Sequence, residues 1–382
     1  MIRLQPFFIT SPPNLRISAR YFLNLVVITA LLLPGCSKNK QANSTRSATT
    51  GDATFLEVYQ QGDKFGYRDL SGVVIIEPQF AEAGDFSWGL ARVRPDAKGG
   101  WGYIDASGNK VIPAHYEAAG DFVDGISVVL SRGRFIYIGP DGGSLGEFEE
   151  ERPPRPLSVG DTLYVVHPRG LIERSSADLG AAPVIQIHPG EIVVCAANAG
   201  TKRTDSAEGL GGTWVFIRYK GKVGYLFDLY LSRYPTDSDH RPVERYRLVS
   251  SSLNNDEYSV YTLTKFVTGG RMIVHDGPNW TETQEVVPEA TVDQVIARLK
   301  LTPPGELGSL ASVFDGQSRT FQTEKGDTVI VSARRGGDGF LDNVSMSRRN
   351  EESTFDATIS KYNLNSVQIT TTISTQPAES DK

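Results

Sequence analysis

Cysteine is nearly missing from this chain: two among 382 residues, Cys36 and Cys195, too few for a disulfide-built scaffold or a cysteine zinc site. Histidine is as sparse, with five, at positions 115, 167, 188, 240 and 275, and none of them falls at metal-motif spacing. There is no His-Glu-x-x-His and no phosphate loop, so neither a metal nor a cofactor is expected. Long apolar runs are also lacking. The one candidate, Tyr21 to Leu33, is well short of the ~20 residues a helix needs to cross hydrocarbon. Basic residues do not dominate either: 39 Lys and Arg stand against 45 Asp and Glu, a net charge of −6. An acidic body argues against a nucleic-acid partner.

That short apolar run has a context. It follows Arg3, Arg16 and Arg20, with no acid among them, and ends at Leu33-Pro34-Gly35-Cys36. Basic, apolar and small residues in that order read as a secretory signal over residues 1–35. Losing it removes three arginines and moves the net charge from −6 to −9. Leu33-Pro34-Gly35-Cys36 resembles the lipobox of bacterial lipoproteins, although Pro34 stands where Ala or Ser is usual. The resemblance implies cleavage before Cys36, acylation of Cys36 with palmitate or a similar chain, and a membrane-anchored protein of the bacterial envelope. Ser37 resembles the outer-membrane sorting pattern, should the host have two membranes. A Cys36–Cys195 disulfide is the competing use of the thiol. Residues 36–52 are small, polar and without apolar period, which reads as a disordered tether.

Next comes a repeat. Phe65-Gly66-Tyr67-Arg68-Asp69-Leu70-Ser71-Gly72 recurs 36 residues on as Trp101-Gly102-Tyr103-Ile104-Asp105-Ala106-Ser107-Gly108. The same offset carries Phe80 onto Tyr116 and Gly84-Asp85-Phe86 onto Gly120-Asp121-Phe122, and a degraded third copy begins at Phe135. Asp at the first turn position and Gly at the fourth suit a type I turn between two short strands, so each copy is expected to be a β-hairpin. A single hairpin buries too little surface to stand alone, and the copies over residues 53–150 must stack. These residues resemble the WG repeat of bacterial proteins. The aromatic ladder Phe65, Trp101, Phe135 with Tyr67, Tyr103, Tyr137 reads either as a carbohydrate or peptide platform or as core.

Residues 151–160, with Arg152-Pro153-Pro154-Arg155-Pro156, read as a stiff linker. Over 161–236, Gly170-Leu171-Ile172-Glu173-Arg174-Ser175, Gly190-Glu191-Ile192-Val193-Val194, Gly212-Thr213-Trp214-Val215-Phe216-Ile217 and Val223-Gly224-Tyr225-Leu226 are similar to the bacterial SH3-like domain. That likeness implies a small closed barrel, and some members of the family bind peptidoglycan peptides. Tyr225 replaces the usual Trp, and Asn198 to Gly211 is a long polar insertion. Trp214, Tyr219 and Tyr225 are the candidates for a ligand groove, with Trp214 as barrel filling the alternative.

Residues 243–375 resemble no recognised family. Tyr258 to Thr264, Thr328 to Val331 and Val367 to Ile373 alternate as half-buried strands. Thr291 and Gln294 have capping-box spacing, and Val292, Val295, Ile296 and Leu299 follow a helical period. The expectation is an α+β domain, an antiparallel sheet with one or two helices, in a chain that is otherwise mainly β; residues 374–382 read as a polar tail. The loop Gly336 to Asn343 reads as a hairpin turn or a Ca²⁺ site, and Glu147, Glu149, Glu150 and Glu151 as a solvated charge run or paired carboxylates. The sequence therefore points to a non-enzymatic binding or scaffold protein, with peptidoglycan or an envelope protein as partner. The alternatives are a wall-targeted enzyme with its chemistry in 243–375, and a plain structural spacer.

Overall fold

In the computed structural model, residues 55–149, 157–196, 204–235, 241–251, 258–301, 305–363 and 366–375 are described. The signal, the tether, Cys36, Glu150, Glu151 and most of the proline linker lie outside the described residues.

Each of the first two copies folds as the sequence dictates. The carboxylate of Asp69 accepts the backbone N–H of Ser71 and Val73, and Asp105 does the same for Ser107 and Asn109, all at 2.9 Å. The turns end on Gly72 and Gly108 at φ +86° and +83°, a region that L side chains avoid. The motif glycine meets a different demand. Phe65 pairs with Phe80 and Tyr67 with Ile76, so Glu77, Pro78 and Gln79 bulge opposite Gly66; Pro113, Ala114 and His115 bulge likewise opposite Gly102. A Cβ on Gly66 would lie 2.5 Å from the Ile76 carbonyl oxygen, and one on Gly102 2.6 Å from that of Ile112. The tyrosine hydroxyls then reach forward, Tyr67 donating to the Gly84 carbonyl and Tyr103 to that of Gly120, each at 2.8 Å. Phe86 and Phe122 pack edge-on against those tyrosine rings, at 4.8 and 5.0 Å. Trp101, Tyr67 and Tyr103 are fully buried and Phe135 is buried, while Phe65 and Tyr137 are half-buried, so the ladder is core rather than platform.

These contacts make a three-stranded sheet of Leu56–Gln61, Lys64–Asp69 and Val74–Phe80. A four-stranded one follows, of Glu82–Ala83, Leu90–Arg94, Trp101–Asp105 and Lys110–Tyr116. In the third copy Ile136 stands where the others have glycine, and it pairs directly with Glu147, with no bulge opposite it. Its strands Arg134–Ile138 and Ser144–Glu147, joined by Ala118–Gly120 and Ser127–Ser131 from the end of the second copy, do not close a separate sheet. Ala118–Gly120 pairs with Pro242–Ser251, and the third copy becomes one end of a thirteen-stranded antiparallel sheet. From Pro242–Ser251 the order continues through Tyr258–Phe266, Arg271–Asp276, Trp280–Pro288, Ser366–Thr375, Ser353–Asn363, Leu341–Arg349 and Thr328–Arg335 to Arg319–Gln322. The sheet thus crosses the stretch between the repeats and residue 243, and its strand ending at Thr375 uses two residues read as tail.

Two helices pack on the far end of this sheet, α1 (Val292–Leu301) and α2 (Glu306–Ser312). The capping box forms: Gln294 N–H donates to Thr291 Oγ1 at 3.2 Å and Thr291 N–H to Gln294 Oε1 at 3.0 Å. The buried face of α1, Val292, Val295 and Ile296, meets Val344, Ile359 and Val367 of the sheet.

Between repeats and sheet in the sequence lies a small β unit of Thr162–Val165, Leu171–Arg174, Pro183–Ile187, Ile192–Cys195, Leu210–Tyr219, Lys222–Phe227 and Leu231–Ser232, with Thr204–Ala207 paired to Leu210–Tyr219. The barrel expected here is not closed: the pairing path is open, from Pro183–Ile187 at one edge to the two-residue strand Leu231–Ser232 at the other. The reason lies in the use of Leu210–Tyr219. Val215, Ile217 and Tyr219 serve the unit's own core with Leu163, Val193 and Cys195, whereas Leu210 and Trp214, joined by Phe227 and Leu229, belong to the core of the helices and the long sheet. A strand whose side chains are divided between two cores lies between them instead of wrapping around one.

Candidate functional site

The junction of small unit, helices and sheet encloses a cavity of about 300 Å³. Its apolar wall comes from Phe266, Val286 and Ile369 of the sheet, Val295 and Leu299 of α1 and Leu307 of α2. Four charged side chains also line it: Arg233, Arg298, Glu285 and Glu289. Arg233 Nε stands 3.1 Å from Glu289 Oε2 and its Nη1 3.6 Å from Asp161 Oδ2, and Arg298 Nη2 donates to the Leu231 carbonyl at 3.1 Å. Two positive and two negative groups leave the lining without net charge, and an apolar wall with a few polar groups is the usual make-up of a small-molecule site.

The same three parts of the chain are joined by a polar knot that sequence reading missed. Asp293, in the first turn of α1, is fully buried. Its Oδ1 accepts the Gly211 N–H at 2.7 Å and its Oδ2 the Leu341 N–H at 2.8 Å, so one carboxylate ties helix, small unit and sheet together. Burial raises its pKa above the usual carboxylate range, although both backbone bonds and Arg335 pull the other way. Arg335 donates to the Gly209 carbonyl at 2.6 Å and to Gly339 at 3.0 Å. The sequence does contain one signal, an acid two residues after the capping Thr291, where a helix favours negative charge. That signal does not distinguish a solvated acid from a buried one.

Of the three groove candidates, Trp214 is buried against Phe227, with ring centroids 5.4 Å apart, and Tyr225 lies partly buried on the same core beside Phe216. Tyr219 points to the other core, its hydroxyl bonded to Glu191. The structure therefore does not bring the three into one groove. Glu191 also holds Lys220 Nζ at 2.8 Å, and these two bonds pull its pKa down to about 2. Cys195 is buried in the core of the small unit.

The Gly336–Asn343 segment is a hairpin turn, closed by Gly336 N–H to the Phe340 carbonyl at 2.8 Å. Among the described residues no group of three or more His, Cys, Asp or Glu is placed to hold a metal ion. No Gly-x-Ser-x-Gly elbow was expected from the sequence, yet Gly142-Gly143-Ser144-Leu145-Gly146 fits that spacing. It sits at the turn between the strands Arg134–Ile138 and Ser144–Glu147, not at the strand-to-helix turn that elbow requires.

Within this mainly β, hairpin-built fold, residues 65–98 and 101–135 match the family model described as WG containing repeat. The first two copies are thus WG repeats, and the third lies past the matched residues. No curated protein and no solved structure matches the chain.

Proposed function

We propose that this chain is an envelope lipoprotein, acylated at Cys36 and exported by the signal over residues 1–35, that works as a non-enzymatic binding or scaffold protein for peptidoglycan or an envelope protein. One observation carries the scaffold part. The WG repeats run by backbone hydrogen bonds, through Ala118–Gly120 and Pro242–Ser251, into the thirteen-stranded sheet, so a partner held at the repeats is held rigidly against the rest. The lipobox resemblance supports the anchor, and the resemblance of residues 161–236 to SH3-like domains supports a wall ligand. The tests are direct. Native protein should carry acyl mass on Cys36 and fractionate with membranes, and Cys36→Ser should release it. Residues 53–382 should be retained on purified peptidoglycan or by envelope extract; retention on neither overturns the binding reading.

The cavity favours keeping a second reading, a wall-targeted enzyme, because charged side chains line it in the C-terminal part of the chain. Under that reading Glu285→Gln or Glu289→Gln abolishes turnover of a wall substrate while the protein stays folded. If wild-type protein turns over no wall substrate, the enzyme reading falls and the scaffold stands.

A further inference from the structure

Within the repeat stack each turn glycine receives an isoleucine from the copy before it. A Cβ on Gly108 would lie 3.5–3.6 Å from carbons of Ile76, and one on Gly142 3.3–3.7 Å from carbons of Ile112. Gly72, the same glycine in the first copy, has no atom of the described residues within 4 Å of that point. The sequence holds no upstream isoleucine for it. One repeat before Ile76 stands Lys40, and one repeat before Phe65-Gly66-Tyr67 stand Thr29-Ala30-Leu31.

The surface around Gly72 is apolar where the second copy's is polar. Leu70, Val73, Val74 and Ile75 are 75%, 57%, 41% and 44% exposed. Thirty-six residues on, the equivalents are Ala106, Asn109, Lys110 and Val111. Val74–Phe80 and Lys110–Tyr116 are both edge strands of their sheets. Soluble proteins blunt such edges with charge, above all lysine, because an unpaired backbone row on an apolar strand recruits another strand. Lys110 serves that purpose at the start of the second copy's edge strand, where the first copy has Val74 and carries no charge before Glu77.

We propose that this tip is a homodimer interface, in which Val73–Ile75 pairs antiparallel with the same strand of a second copy about a two-fold axis at Val74. The strand is self-complementary in charge. That register sets Val74 opposite Val74 and Val73 opposite Ile75, with the turn at Gly72 beyond the paired residues, so no like charges meet. Pro78 cannot extend the pairing, since it has no N–H to donate. At the far end of the stack Phe148, whose N–H donates to the Phe135 carbonyl, is fully buried, with Lys265 Nζ 5.1 Å from its ring centroid. A two-fold pairing uses the same patch on both molecules, so association stops at two copies rather than running on as a filament. The pairing needs neither the lipid nor a wall ligand, and it stands or falls apart from the proposed function.

Sedimentation equilibrium tests it on the chain from residue 37 onward, which keeps the whole compact unit beginning at Ala53. Wild type should be dimeric at about 100 µM, a Kd of about 10 µM or tighter. V73N/V74K, which gives the first copy the residues the second already carries, should weaken association more than tenfold with an unchanged far-UV spectrum. In a Val74→Cys variant the two thiols meet at the axis, and mild oxidation should cross-link the dimer covalently. A monomeric wild type, a dimer that survives V73N/V74K, or a dimer that Val74→Cys fails to cross-link each overturns the proposal, as does capture of a different protein by the tip of a monomer.

Discussion

Tyr67 reaches Gly84 and Tyr103 reaches Gly120 across 17 residues each, whereas Asp293 reaches Gly211 across 82 and Leu341 across 48, and Arg335 reaches Gly209 across 126. The repeats and the helix-covered end of the long sheet are thus held at different ranges. In the repeats the fixing contacts come from one motif and the next. At the helix end one buried carboxylate joins three parts of the chain that fold far apart in sequence. Damage to a repeat should act at once on its own hairpin, while damage to Asp293 should loosen a junction and leave the hairpins intact.

The largest expected effect is on the repeat side. Gly102→Val drives a side chain into the Ile112 carbonyl and the Ala114 nitrogen, 2.6 and 2.7 Å from the Cβ position, and should cost about 3–4 kcal/mol in urea unfolding. Ile136→Val, at the matching position of the third copy, should cost about 1 kcal/mol. Equal losses at the two sites would break the comparison, because they would mean that the bulge makes no special demand. Next is Asp293→Ala, which leaves the Gly211 and Leu341 N–H groups buried without their acceptor and should cost about 3 kcal/mol. Hydrogen exchange should show those two amides losing protection while Gly72 and Gly108 keep theirs; loss at both ends would mean that the two regions unfold as one.

Glu173 sharpens the contrast within the small unit. It is fully buried over Gly224, neither carboxylate oxygen has a hydrogen-bond partner among the described residues, and burial raises its pKa against the pull of Lys222. A raised folded-state pKa means that the protonated form favours folding below the unfolded value of about 4.3, and that this stability is lost as pH rises through the folded value. Glu173→Gln should therefore match wild type below about pH 4 and exceed it by about 1 kcal/mol at pH 7, read from thermal or urea unfolding at both. A gap that shrinks with rising pH would mean that the ionised carboxylate has found a partner. The smallest effect distinguishes the two tyrosines. Tyr67→Phe should cost about 1 kcal/mol and Tyr103→Phe less, because Ser127 Oγ also donates to the Gly120 carbonyl, at 3.1 Å.

Most of the repeat was legible before any coordinates: the hairpins, the Asp turns and the positive-φ glycines follow from one spacing of 36, whereas the ladder stayed between platform and core until its burial decided. The capping box at Thr291 was legible for the same reason, since its partners are three residues apart. The closed barrel was not realised, because its strand pattern is silent about Trp214 and Phe227 serving a neighbouring core. Asp293, Arg335 and the cavity were invisible, since nothing local marks a carboxylate that will be buried by chain 48 and 82 residues away.

Sequence alone determined the local devices: which residues turn, which glycines the backbone needs, and where a helix starts. Each of these is settled within a few residues by sterics and short hydrogen bonds. Tertiary structure decided the rest: that the third copy joins the long sheet, that the small unit stays open and shares its aromatics, and that one apolar tip is left uncovered by the described residues. Those outcomes depend on which surfaces meet, and burial is a property of the pair of surfaces, not of either segment by itself.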